Sequence, residues 1–458
     1  MATIIDSGDL NRYEVIKTRP MNTEATNVAI TGQPISVTTD PGTGTKSAAL
    51  DAFGRLRVSN PITLFDSSHR YRDNNLWYIN TASGGASTFN ANQGLIDMSV
   101  TTAAGSLVYR ETTKVFAYQP GKSLLVLNTF VFNPAKANLR QRVGYFGTAN
   151  GMYLELDGTG GNVLAFVERS SVSGSVVETK VPQSSWSFDK MDGTGPSGLT
   201  LDITKAQILW MDVEWLGLGT VRMGFVVNGK FILCHEFHHA NIITSTYITT
   251  ASLPLRYEIE NTGATASNST LKQVCSTVLS EGGYEIRGLQ QGLGTPIQTP
   301  TTLTTAGTYY PIISLRLKTS PDRLDAIVIL TALSIMGITN NANYNWRVVA
   351  SGTTTGGTWT SAGIDSAVEY NLTGTSFTGG RILAQGYSSA SNQAVTAVDI
   401  LREALFKFQL ERNSFTSTPN ELTLIAASSA TNANIHVSRS EEHRLNSSHE
   451  WISRMPSS

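Results

Sequence analysis

Charge is scarce in this 458-residue chain: Asp, Glu, Lys and Arg make up 15% of it, with a net charge of −1. A nucleic-acid binder needs a basic patch, and an acidic disordered chain needs a large charge excess, so both classes are excluded. Cysteine is scarcer still. Cys234 and Cys275 are the only two, too few for a disulfide framework, and each sits in an apolar run as a buried free thiol would. No apolar run approaches the roughly 20 residues of a membrane span, so membrane insertion is not expected. The first residues, MATIIDSGDLNRYE, lack the basic-then-apolar order of a secretory leader. Together these absences predict a protein made in a reducing cytoplasm. Within residues 51–287 no amphipathic helical run of useful length appears, and across the chain Gly, Ser, Thr and Asn are abundant where Leu, Glu and Lys would build helices. That composition suits many short strands joined by turns.

What is present is best defined at Ala206–Phe237, AQILWMDVEWLGLGTVRMGFVVNGKFILCHEF. Asn228-Gly229 between two alternating runs is a hairpin signal, because a type I′ turn needs positive φ at both central residues. A two-residue loop predicts that Val227 faces Lys230, Phe225 faces Ile232, Met223 faces Cys234 and Arg222 faces His235. Met223, Phe225, Ile232 and Cys234 then share a core face. In the preceding run Leu209, Met211, Val213 and Trp215 share one face, and Trp210, Asp212 and Glu214 share the other. This stretch is expected at the centre of an antiparallel sheet.

Around it the chain divides by composition. Residues 1–50 are polar and Thr-rich, with Pro20, Pro34 and Pro41, and read as an extended arm that docks on a neighbouring subunit. Residues 51–287 carry a dozen strand-like runs at roughly 8–12-residue spacing, the pattern of a two-sheet antiparallel sandwich. Residues 288–300 read as a linker and 301–437 as a second, smaller β-sandwich. Within the latter, Ala326–Ile338 is nearly all apolar, a buried strand or a short helix. Residues 438–458 break with everything before. Charged and without alternation, they read as translated sequencing-adapter read-through, or else as a genuine disordered tail.

Several motifs invite chemistry. His235-Glu236-Phe237-His238-His239 matches H-E-x-x-H, which binds zinc only on a helix. Here it continues a strand, where residues four apart are separated by roughly 13 Å, too far to share one ion. Glu258 has the spacing of a third ligand but is one acid among many. No metal and no cofactor are expected. Gly193-Thr194-Gly195-Pro196-Ser197-Gly198 matches G-x-G-x-x-G without the strand and helix a dinucleotide site needs, and reads as a turn-rich loop. Gly121-Lys122-Ser123 lacks the first glycine of a phosphate loop, since that position is Phe116. Asp157-Gly158 and Asp192-Gly193 are turn signals. Asp212 and Glu214 are different: two carboxylates on one strand face lie roughly 7 Å apart, within the range that glycoside hydrolysis uses. Trp210 beside them could stack on a sugar, and Arg222 and His235 complete a candidate glycan-binding set of Trp210, Asp212, Glu214, Arg222 and His235. The plainer reading of the pair is a solvated outer face with an arginine partner.

Other phrases carry a resemblance. Asp51-Ala52-Phe53-Gly54-Arg55-Leu56-Arg57-Val58, Tyr118-Gln119-Pro120-Gly121-Lys122-Ser123, Gln183-Ser184-Ser185-Trp186, Glu214-Trp215-Leu216-Gly217, Cys234-His235-Glu236-Phe237 and Leu253-Pro254-Leu255-Arg256-Tyr257-Glu258 resemble a family of virion structural proteins of aquatic tailed bacteriophages. The similarity covers about residues 51–287 and is weaker beyond. Family members continue past the last strand with a short Trp-containing end, where this chain has Arg439–Ser458. The central block also resembles the concanavalin-like, lectin-type jelly roll, a likeness of fold that does not imply sugar binding.

The resemblance implies a non-enzymatic particle component: a tail, fibre, neck or head-decoration subunit in the virion, assembled in the host cytoplasm. It implies self-association, with a trimer as one form, and contact with other virion proteins. Two alternatives stay open, a carbohydrate-binding module that attaches to host-surface glycan through Trp77, Trp186 or Trp210, and a glycan-degrading enzyme that uses Asp212 and Glu214.

Overall fold

The computed structural model describes residues 61–444, apart from 75, 117, 284–288, 321–325, 364–365, 391–409 and 411–418. The expected arm and the Asp51–Val58 phrase lie outside the described residues. Up to residue 281 the chain forms β1 (Ile62–Ser68), β2 (Trp77–Ala82), β3 (Ala86–Asn90), β4 (Leu95–Val100), β5 (Leu107–Thr112), β6 (Ser123–Val131), β7 (Leu139–Phe146) and β8 (Gly151–Asp157). It continues with β9 (Val163–Ser170), β10 (Val177–Pro182), β11 (Gln207–Val213), β12 (Val221–Val227), β13 (Lys230–Phe237), β14 (Leu255–Asn261) and β15 (Ser269–Glu281).

These strands make two antiparallel sheets. One is eight-stranded in the order β13-β12-β11-β6-β15-β4-β3, with β1 also on β15; the other is seven-stranded in the order β10-β9-β8-β7-β14-β5-β2. The chain changes sheet between β1 and β2, β2 and β3, β4 and β5, β5 and β6, β6 and β7, β10 and β11, β13 and β14, and β14 and β15. That crossing pattern makes the block a jelly roll, so the all-β expectation holds. Between the sheets lie Phe130, Val143, Tyr145, Leu154, Phe166, Met211, Phe225, Tyr257 and Val278, all fully buried.

The hairpin sits near one edge of the eight-stranded sheet. Asn228 and Gly229 have φ of 52° and 74°, the type I′ turn expected of this pair. Val227 faces Lys230 and Phe225 faces Ile232 as expected, but the register then slips. Met223 faces His235, and Arg222 faces Glu236, because a bulge inserts Cys234. The bulge forms where another segment pairs with the outer edge of β13: the Phe188 N–H donates to the Cys234 carbonyl at 3.0 Å and the Asp189 N–H to the Leu233 carbonyl at 3.2 Å. Cys234 still reaches the core.

Beyond residue 288 come β16 (Leu289–Gly294), β17 (Thr301–Leu303), β18 (Tyr310–Leu317), β19 (Ile327–Gly337), β20 (Asn343–Thr355), β21 (Thr360–Ser361), β22 (Val368–Asn371), β23 (Ser376–Ser389), β24 (Leu422–Ser428) and β25 (Ala433–Arg444). They form a four-stranded sheet, β16-β25-β17 with β19 on β25, and a six-stranded sheet, β21-β22-β18-β24-β20-β23. Leu315, Tyr344, Trp346, Leu424 and Ile435 belong to a second core that shares no residue with the first. The apolar run at 326–338 is a strand. Two boundaries move. Part of the expected linker is β16, whose residues pair with Ser438–His443 of β25. The final strand also runs through Arg444, past the expected start of the tail at residue 438; residues 445–458 lie outside the described residues.

Candidate functional site

The five residues singled out in the sequence do not form an open site. Trp210, Asp212 and Glu214 are 6%, 5% and 6% exposed, where a solvated face was expected. Trp210 lies across Gly224 of the neighbouring strand and donates its indole N–H to the Ile232 carbonyl at 3.2 Å. A Cβ on Gly224 would come within 2.9 Å of that indole nitrogen and 1.9 Å of the Ile232 oxygen, so the glycine is what admits the ring. Phe231 meets the indole edge-on at 5.5 Å. Trp210 is therefore a packed structural side chain, not a sugar platform. Asp212 stands opposite Arg222 in the ladder. Arg222 donates to the Glu236 carboxylate at 2.9 Å. Glu214 is past the end of β11, its carbonyl accepting the Tyr247 hydroxyl at 3.0 Å. His235 is turned away from Arg222 by the bulge. Its Nδ1 accepts the Ser187 N–H at 3.3 Å and lies 2.9 Å from the Ser187 hydroxyl. Burial, with His238 nearby, lowers its pKa to about 4. Trp77 and Trp186, the other aromatics considered for glycan, are 6% and 2% exposed.

The H-E-x-x-H residues are also dispersed. His239 lies between the Gly219 carbonyl and the Glu168 carboxylate, 2.7 Å from the latter, and stacks on Tyr247 at 4.0 Å. Among the described residues no group of three or more His, Cys, Asp or Glu could hold a metal ion. The glycine-rich loop is closed by Asp189, whose carboxylate accepts the Met191 N–H at 2.8 Å and the Ser197 N–H at 2.7 Å. Asp157 and Asp192 cap their turns through the N–H groups of Thr159 and Thr194.

A constellation that was not anticipated covers the outer face of the seven-stranded sheet. The ladders place Glu111 of β5, Arg256, Glu258 and Glu260 of β14, Arg140 and Arg142 of β7, Glu155 and Asp157 of β8, Arg169 of β9, and Glu178 and Lys180 of β10 on that one face. That is five cations against six carboxylates. Arg142 donates to Glu155 at 2.7 Å and to Glu258 at 3.0 Å. Arg256 donates to Glu258 at 2.6 Å and Glu111 at 2.9 Å. Arg169 donates to Glu178 at 2.7 Å, Lys180 to Glu155 at 2.5 Å, and Arg140 pairs with Glu260. The guanidinium groups of Arg142 and Arg169 lie over the Tyr153 ring at 5.4 and 5.0 Å, and that of Arg256 lies over Tyr109 at 3.9 Å.

Desolvation opposes the charges of Arg142, Arg256, Glu178 and Glu258, and their partners overcome it. Burial alone would raise Glu178, but hydrogen bonds from Tyr153 and Arg169 and the charges of Arg142 and Arg169 bring its pKa down to about 2. Glu258 is likewise held low against its burial by Arg256 and Arg142. The signal was present in the sequence as charges two apart on four of the strands, Arg140/Arg142, Glu155/Asp157, Glu178/Lys180 and Glu258/Glu260. Period two puts each pair on one face, but nothing local says that the pairs are neighbours.

No protein-family model matches the chain, and no curated protein does. Among solved structures it is similar to a β-glucanase of Bacillus licheniformis at 10% identity and a TM-score of 0.31, covering 47% of this chain and 96% of that one. A β-1,3-glucanase of Mycobacterium marinum is similar at 8% identity and a TM-score of 0.34, with 47% and 98% covered. The Emp47p carbohydrate recognition domain is similar at 11% and 0.31, with 50% and 99% covered. No binding or catalytic property passes to this chain from likenesses of that size.

Proposed function

We propose that this chain is a non-enzymatic structural subunit of a tailed-phage particle, placed in its tail, fibre, neck or head decoration after assembly in the host cytoplasm. Self-association and contact with other virion proteins are its partners in this reading. The observation that carries it is the internal pairing of charge on the seven-stranded sheet. Buried Arg142, Arg256, Glu155 and Glu258 bond one another, which stiffens a sheet face and leaves those charges satisfied without a ligand. The phage resemblance of the sequence supplies the particle.

The two glycan readings, attachment to host-surface sugar and cleavage by Asp212 and Glu214, need those side chains at the surface. Trp210, Asp212 and Glu214 are all under 7% exposed, so both have less support. Gold-labelled antibody against this protein tests the proposal on intact particles. Regular decoration of one particle part is expected, and unlabelled particles alongside a labelled denatured control would overturn it.

A further inference from the structure

β23 is the longest strand among the described residues, at 14 residues, and lies at the edge of the six-stranded sheet. Among the described residues β20 is its strand partner. Among the described residues no strand covers its other edge, so a row of backbone N–H and C=O groups is left for a further strand. Edge strands β2 and β3 are short, at six and five residues, and three further edges are blunted. That of β13 accepts the N–H groups of Phe188 and Asp189, β10 carries Glu178 and Lys180 and ends on Pro182, and β21 has two residues.

β23 has little such protection. SFTGGRILAQGYSS contains no proline, and Arg381 is its single charge. A bulge at Leu383 bends the ladder, but Ala384–Ser389 pair regularly beyond it with residues 343–348. On this stretch Tyr387 is 83% exposed, and Ile382 before it is 47% exposed. Ile382, Gln385 and Tyr387 stand opposite Val349, Arg347 and Asn345, so they share the face away from Trp346 and Val348 of the second core.

We propose that two copies of this chain pair their β23 edges antiparallel about a two-fold axis, joining two six-stranded sheets into one. The unpaired edge fixes the occupant as a strand. The composition favours a second copy, because Ala384–Ser389 carry no charge to oppose their own image and the pairing brings the two exposed Tyr387 rings alongside each other. The proposal rests on the self-association part of the reading above. Mass in solution is measured without particles, so the two can fail separately.

Light scattering on the size-separated full chain tests it. The expected mass is twice 49.3 kDa for the unaltered protein and a single 49.3 kDa for Gln385→Lys with Tyr387→Lys, which sets like charges face to face across the axis. Both positions are exposed, so the circular dichroism and melting temperature of the double variant should match the parent. Tyr71→Lys, at an 89% exposed position off this edge, should leave the dimer intact. A monomer at every concentration, a dimer that survives the double variant, or any larger closed assembly would overturn the proposal.

Discussion

Single atoms decide the outcome at several positions. Gly224 has no Cβ, and that absence lets Trp210 lie across the strand. Gly224→Ala should cost about 3 kcal/mol, since the nearest obstacle is a backbone carbonyl that cannot step aside; urea unfolding reads this directly. Arg142 and Lys180 both bond Glu155 but differ in solvent. The Arg142 side chain is 7% exposed and that of Lys180 37%. Arg142→Met strands buried carboxylates and should cost about 3–5 kcal/mol, whereas Lys180→Met should cost less than about 1 kcal/mol. Equal losses would mean that burial does not set the worth of these pairs. At this scale the sequence misled in a specific way. Trp210, Asp212 and Glu214 alternate as an outer face should, and within β11 Trp210 and Asp212 are indeed on the face away from Leu209, Met211 and Val213 of the core, but periodicity reports direction and not exposure.

At the scale of the element, the hairpin shows what local rules reach. Asn228-Gly229 determined the turn and the first pairs, because both depend on residues in contact along the chain. The bulge at Cys234 depends on Phe188 and Asp189, over forty residues away, so no local rule could place it. The same bulge buries His235. At the end of β1, His69 is 1% exposed, and burial, with Arg110 nearby and only partly offset by Asp73, lowers its pKa to about 4. Histidines with ordinary values in the unfolded chain bind protons that these two refuse when folded. Their contribution to stability is therefore full above about pH 6.5 and falls as pH drops toward about 4. Glu178 acts in a lower window, losing its contribution as pH falls from about 4.5 to about 2. Melting temperature should decline first through the histidine window, with a shallower slope in His69→Gln; a flat profile from pH 7 to 4 would contradict this.

For the whole molecule, the turn spacing and alternation made the sandwich legible, and most strands fall where the apolar runs lie. The second core was legible as well. The pairing of β16 with β25 was not, since it joins residues about 150 positions apart. Two cores without a shared residue should melt as two calorimetric transitions, and one all-or-none transition would show them coupled. The central claim, that the chain is built into a phage particle, is tested most directly by quantitative mass spectrometry of gradient-purified particles. Peptides of this chain are expected at a fixed copy number relative to the major head protein. Their absence from particles, with the protein abundant in the infected-cell lysate, would contradict it.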